Sequence, residues 1–280
     1  MAIPADLRLP RVAAGFEWRE TAVAPVLVCT ALETIAPHLF TTRGFLLGQT
    51  RSGDAPWQQL ADTMGVGALL RLRQVHGAVS VVATRPVPPE PPDGDILLAG
   101  PDGPAIAVQG ADCVPLLIAD RRRGVVAAAH AGWRGLVQGV PGETVRRLRE
   151  VYGSEPSDLL AAIGPSVGAC CYEVGPDVAD AFTAAGYTTA QTAPWFHDRP
   201  QPTPVNPSLT GLPAAQRPGH AYFDGWACAT SQLVAAGVPA DAVFCAALCT
   251  ASHPDVLCSY RRDRASAGRI AGVIAPRPAR

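Results

Sequence analysis

The sequence is short of charge. Only 17% of its 280 residues are Asp, Glu, Lys or Arg, and 24 acidic against 23 basic residues leave a formal net charge of −1. That balance offers no basic field to a phosphate backbone, so nucleic acid is not an expected partner. No apolar run approaches the length that spans a bilayer. The opening stretch MAIPADLRLPRVAAGFEWRE lacks the charged-then-apolar order of a secretory leader. The expectation is a cytoplasmic protein with no membrane partner. Histidine is also scarce. A multicopper oxidase with several histidine-rich centres needs about ten, and the chain has six. A blue-copper centre usually adds an axial methionine, and Met1 and Met64 are the only two. The zinc-deaminase pattern H-x-E with P-C-x-x-C is missing, because Gly77 and Ala78 follow His76. No C-x-x-C pair exists for a zinc finger or thioredoxin-type site, and no G-x-x-x-x-G-K-[ST] exists for a P-loop. No internal repeat of fixed period occurs.

Apolar residues, by contrast, are plentiful at 48%, enough to bury a sizeable core and to argue against disorder. The runs APVLVCTAL, VSVVAT, DILLAG, AIAVQGADC, PLLIAD, GVVAAAHAG, LLAAIGPS, AVFCAALCT, DVLCSY and RIAGVIA read as strands. Several do not alternate apolar with polar residues, as expected of strands buried on both faces. Helices are expected at APWQQLADTMG with Asp54 as cap, GETVRRLREVYG ending at Gly153, PDVADAFTAAG, and GWACATSQLVAAG between Asp224 and Gly237. This mixture implies an α/β or α+β fold. Two proline-rich stretches, Thr84–Asp95 and Ala193–His220, read as loops. Neither separates two complete cores, so a single domain over residues 1–280 is expected. Most of the eight cysteines lie inside apolar segments, as Cys29, Cys228, Cys245 and Cys249 do, and read as small hydrophobes. Cys170 and Cys171 read as packing residues beside a tight turn.

Three other side chains stand where apolar runs stop: His76, Cys113 and His130. Two imidazoles and a thiolate suit Zn²⁺, and three protein ligands leave a fourth position for water or substrate, as in catalytic sites. Spacing alone leaves the metal reading level with three satisfied structural residues. A second reading needs no metal: Cys113 as nucleophile and His130 as its base. Arg134, at a turn entering a helix, is either an anion fork or a surface ion pair. The stretch SYRRD, Ser259–Asp263, is either an anion wall beside a strand or a solvated charged edge.

Taken together, RQVHG, GADCVPLLIAD, AAHAGWRG, IGPSVGACCYEVG and CSYRRD…AGRIAGVI resemble the polyphenol-oxidase (laccase-domain) family, over about Phe40 to Ile274. The resemblance implies a layered α/β sandwich with mixed sheets flanked by helices, similar to the cysteine-hydrolase domain of cytotoxic necrotizing factor toxins. It implies a zinc-dependent purine nucleoside phosphorylase, with purine nucleoside and phosphate as partners, that also deaminates adenosine and cleaves methylthioadenosine. One zinc is implied on His76, Cys113 and His130. Cys113 and His130 are then catalytic, with Asp112 orienting a ligand or capping a turn. By motif position Arg43, Arg134 and Arg261 are candidates for holding phosphate. The alternatives are a metal-free Cys–His hydrolase of an amide or cell-wall precursor, and a non-catalytic zinc-binding protein. The sequence departs from the family pattern in three places. The segment after Arg43 is shortened, with Phe45, Leu46 and Leu47 replacing a glycine-rich stretch. Thr230 stands where asparagine is usual, and Cys258 replaces an aromatic residue before SYRRD.

Overall fold

The computed structural model describes residues 8–48, 54–211 and 217–277. In chain order its strands are β1 (Phe16–Arg19), β2 (Val26–Cys29), β3 (His38–Thr41), β4 (Leu69–Arg71), β5 (Ser80–Ala83), β6 (Ile96–Ala99), β7 (Ala105–Gly110) and β8 (Val114–Asp120). They continue with β9 (Val126–Ala131), β10 (Leu159–Ile163), β11 (Glu173–Val174), β12 (Phe196–His197), β13 (Ala221–Phe223), β14 (Val243–Cys245) and β15 (Ile270–Ile274). One six-stranded sheet runs β1-β2-β3-β15-β7-β4, a second runs β14-β10-β8-β9-β6-β5, and a small third sheet runs β11-β13-β12. Both large sheets are mixed: β4–β7, β5–β6 and β10–β14 are parallel, and the other pairs are antiparallel.

The apolar strands do alternate, but between two cores rather than between core and water. In β8, Leu117 and Ala119 face the first sheet, while Val114, Leu116 and Ile118 face the helices. In β9, Val126 and Ala128 take the inter-sheet side, and Ala127, Ala129 and Ala131 take the helical side. The inter-sheet core also holds Leu27, Phe40, Ile106 and Ile274 from the first sheet. Helices Val140–Tyr152, Pro176–Ala184 and Gly225–Ala235 supply Val145, Leu148, Phe182 and Leu233 to cover the outer face of the second sheet. Helix Ala55–Met64 lays Trp57 and Leu60 over the outer face of the first, against Leu39 and Val273. The architecture is therefore the expected mixed α/β one, with mixed sheets flanked by helices.

The helix ends follow the sequence signals with one exception. The Asp224 carboxylate accepts from the backbone N–H groups of Trp226 and Ala227 at 3.0 and 2.9 Å, and Gly153 ends its helix at φ 67°. Asp54 precedes its helix but makes no capping bond; it is drawn to the Arg71 guanidinium at 2.8 Å instead. The expected strand DVLCSY is also corrected. Residues 255–259 form no strand: a turn ends at Val256, and the Ser259 hydroxyl accepts from the Arg262 N–H and starts the short helix Tyr260–Asp263. Among the described residues, no helix is long and apolar enough to cross a membrane.

Gly164, which follows β10, shows how tightly the sheets close. A Cβ placed there would lie inside the van der Waals envelope of the fully buried Phe40 ring. Overpacking of this kind costs about 1–3 kcal/mol. Gly164→Ala should lower the chemical unfolding free energy by that amount. An unchanged midpoint and slope would show that the Phe40 ring moves aside freely.

Candidate metal centre and its cavity

The two sheets meet at a seam where the chain passes from β7 to β8 through Ala111, Asp112 and Cys113. This crossover puts the Cys113 thiol at the mouth between the sheets. The register of β8 with β9 sets Pro115 opposite His130, so His130 occupies the last inter-sheet position of β9. His76 comes from the loop between β4 and β5, not from a strand end. It is held there because the Gln74 side chain donates to the Gln109 carbonyl at 2.7 Å and accepts from the Gln109 N–H at 2.8 Å. The three potential ligand atoms of His76, Cys113 and His130 lie within 4.8 Å of one another. The two imidazoles meet edge to face, with centroids 4.9 Å apart. Burial is graded: His130 is buried, Cys113 half-buried and His76 exposed.

Two of these positions carry unusual backbone. His76 has φ 59° and Asp112 has φ 93°, in a region that non-glycine residues rarely adopt. Gly132 is required by the close approach of the thiol, since a Cβ there would sit 2.9 Å from Cys113 Sγ.

The residue that ties the site together escaped sequence analysis. Asp95, fully buried just before β6, is hydrogen-bonded to His130 Nδ1 at 2.8 Å. It also accepts from the backbone N–H groups of Gly77 at 2.7 Å, His76 at 3.1 Å and Val75 at 3.3 Å. One carboxylate thus orients one imidazole and shapes the loop that carries the other. Burial alone would raise the Asp95 carboxyl, but the His130 and backbone hydrogen bonds outweigh it and hold it below the usual range. Burial would likewise raise the Cys113 thiol, yet the neighbouring imidazoles bring it down to about 6. His130 is pushed by burial toward the neutral form, but Cys113 and Asp95 carry it up to about 9. The site favours a thiolate facing an imidazole whose second nitrogen is fixed by a carboxylate, the arrangement common behind metal-binding histidines.

Asp112 points elsewhere. Its carboxylate accepts from the Thr250 hydroxyl at 2.6 Å and from the backbone N–H of Arg261. It fastens the SYRRD segment to the crossover and does not orient His76 or His130. A cavity of about 660 Å³ opens on the three ligand candidates. Its walls include Trp133, Tyr172 and Tyr260 with Arg73, Arg134, Arg261, Arg264 and Arg269, and among the described residues Asp112 is the one carboxylate there. Arg134 lies over the Trp133 ring at 4.2 Å and Arg261 over Tyr172 at 5.2 Å. Arg262 instead turns inward, donating to the carbonyls of Thr250, Ala251 and Leu257. Arg43 is not part of the wall; its guanidinium donates to the Pro254 carbonyl. Phe45 and Leu47 from the shortened segment are buried on the outer face of the first sheet, and residues 49–53 lie outside the described residues. Tyr172, Arg264 and Arg269 were not singled out from sequence. Tyr172 and Arg269 lay inside the matched motifs, and Arg264 directly after SYRRD.

Residues 51–277 match the family model described as multi-copper polyphenol oxidoreductase laccase. The chain is similar to the purine nucleoside phosphorylase of Bacteroides thetaiotaomicron, at 34% identity over 176 residues; the match spans 63% of this chain and 58% of that protein. It is also 34% identical over 254 residues to the purine nucleoside phosphorylase of Deinococcus radiodurans, covering 85% of this chain and 88% of that one. In structure it resembles YlmD from Geobacillus stearothermophilus, with TM-score 0.75 and 27% identity over 93% of this chain and 98% of that chain. With the motifs, the fold and the matched span in agreement, the chain belongs to the multi-copper polyphenol oxidoreductase laccase family.

Proposed function

We propose that this protein is a zinc-dependent purine nucleoside phosphorylase that also deaminates adenosine and cleaves methylthioadenosine. The observation that carries the reading is the His76–Cys113–His130 triangle opening on a cavity walled by arginines and aromatic rings. The donor set fits zinc: two imidazoles, a thiol already held toward the thiolate, and a carboxylate behind one imidazole. When bound, zinc supplies Lewis acidity. The protein's own groups do the rest. Tyr172 and Tyr260 offer flat faces for a purine. Arg134, Arg261, Arg264 and Arg269 offer guanidinium forks to phosphate, with Asp112 the one competing carboxylate among the described residues of the wall. Arg43 has no part in this reading. Phosphorolysis transfers the ribosyl C1′ from the purine nitrogen to a phosphate oxygen, yielding free base and ribose 1-phosphate. Deamination takes up water at the purine C6 and releases ammonia. Names borne by relatives, purine nucleoside phosphorylase among them, support the first reaction.

The chain's histidines argue against phenol oxidation despite the family's description. His38, His197, His220 and His253 lie outside the His76–Cys113–His130 group, so among the described residues no second histidine-rich centre accompanies it.

The test is a pair of assays with metal analysis. Purified protein should carry near-stoichiometric zinc and convert inosine to hypoxanthine only when phosphate is present. His76→Ala should lose both metal and turnover. Turnover that survives in His76→Ala and needs no phosphate would instead favour a metal-free Cys113–His130 hydrolase, which has no need of the second imidazole.

A further inference from the structure

A second group of metal-binding side chains lies apart from the cavity just described. Cys170, Cys171 and Cys249 place their three sulfurs within 4.8 Å of one another, all buried. They come from two separate segments, the turn after β10 and the loop after β14, which are bridged at Ser166 and Cys249. The framework around them is fixed. The Asn206 side chain donates to the Ala247 carbonyl and accepts from the Cys249 N–H, both at 2.8 Å. The Thr250 N–H reaches the Ser166 carbonyl at 3.0 Å, and the Cys171 N–H reaches that of Gly168 at 2.9 Å. The apolar side chains of Val167, Ala251, Tyr172, Leu209 and Trp226 enclose the group.

We propose that these three cysteines form a thiolate site for monovalent copper. The ligand chemistry carries the assignment. Sulfur alone selects a soft ion. A structural zinc site wants four ligands, and among the described residues no fourth histidine, cysteine or carboxylate joins this group. The Pro207 carbonyl lies 3.7 Å from Cys171 Sγ, and the Ser252 hydroxyl, which donates its own hydrogen to that carbonyl, lies 3.6 Å from the sulfurs of both Cys170 and Cys171. The hydroxyl's remaining lone pairs accept thiol protons and offer only a weak, hard donor to a soft ion. The Gly168 N–H points at Cys249 Sγ from 3.4 Å, partly offsetting negative charge there. Access exists as well. Ser252, Ala251 and Pro207 line an adjoining cavity of about 840 Å³, which shares Arg261 and Arg264 with the first, so the thiols lie one side chain beneath its floor.

Binding would replace thiol protons by the ion with no change of oxidation state, so affinity should rise with pH. The probe is Cu(I) itself, titrated anaerobically into fully reduced protein against bicinchoninate. A Cys113→Ala background removes the thiol of the first site. One equivalent should be retained there, with X-ray absorption showing three sulfur neighbours and no nitrogen. Cys249→Ala in that background should weaken retention by roughly 100-fold or more, whereas Cys228→Ala, a buried cysteine outside the group, should not. If Cys249→Ala does not fold, Cys171→Ala and the absorption spectrum of the parent protein decide the matter. Three results would overturn the site: no Cu(I) retained by folded, reduced protein; copper bound through nitrogen; or zinc held by the same cysteines in preference to copper.

Discussion

Asp95→Ala should lower the unfolding free energy by about 3–5 kcal/mol, the range for removing one partner of a buried charged pair. The carboxylate is fully buried and serves His130 Nδ1 and three backbone N–H groups at once. Deleting it leaves the buried His130 Nδ1 without its partner and frees the three loop N–H groups that hold His76 in place. Asp95→Asn is the informative companion. The amide keeps the shape and one acceptor but cannot carry the charge that favours the His130 proton on Nδ1. Metal affinity should then fall about 10–100-fold, as when a carboxylate behind a ligating histidine is removed, with a smaller change in stability. Equilibrium unfolding and competition with a zinc chelator read the two effects separately. If Asp95→Asn binds metal as tightly as the parent, the carboxylate shapes the loop without tuning the imidazole.

The second large effect concerns pH and a histidine far from the cavity. His38 is buried in β3, where its Nε2 accepts from the Cys29 N–H at 2.9 Å and its Nδ1 lies 3.0 Å from the Ala36 carbonyl. Both ring nitrogens are therefore committed in the neutral form. Burial, with a further push from Arg19, lowers its pKa from 6.5 to about 4. The unfolded chain binds a proton near pH 6.5 that the folded chain refuses until about pH 4. Stability must rise with pH across that window and is lost as pH falls through it. At 1.36 kcal/mol per unit the gap is worth ~3 kcal/mol. Unfolding free energies measured at pH 7 and pH 4.5 should show most of this fall. His38→Gln retains an acceptor for Cys29 without a titrating ring, and its profile should be flatter by a similar amount. Equal slopes in the two proteins would assign the acid sensitivity to other groups.

The chemistry of the site was easier to read than its support. His76, Cys113 and His130 stand out because few residue types bind metals and because their motifs carry a family resemblance. Asp95 did not stand out. An acidic residue at the end of a proline-rich loop looks like any solvated turn residue until β6 is paired with β9 and its carboxylate falls beside an imidazole 35 positions away. Cys249 was hidden for the same reason. As a small hydrophobe in an apolar run its reading was sound, and only the bridge to Ser166 brings it to Cys170 and Cys171. Most apolar strands were visible. Their division between two sheets was not, since a strand buried on both faces carries no polar side to show which core it meets. Short strands such as β3 and β13 lacked the length to register as a pattern. DVLCSY misled because its apolar residues are buried without a strand partner, in a segment that leads into a short helix held by a serine cap and by Asp112 across the fold.

The position of β15 has a consequence for the order of events during synthesis. Residues 270–274 are inserted between β3 and β7, pairing Ile270 with Gly110 immediately before the crossover. Until that strand leaves the ribosome, β7 lacks one neighbour and the seam between the sheets has no second wall. The crossover thiol, the β9 imidazole and the loop imidazole can each exist on the nascent chain, but not as a fixed triangle. Contacts so distant in sequence form late. Any metal held by the triangle would therefore be captured only after synthesis, and until then the Cys113 thiol lies outside its folded site.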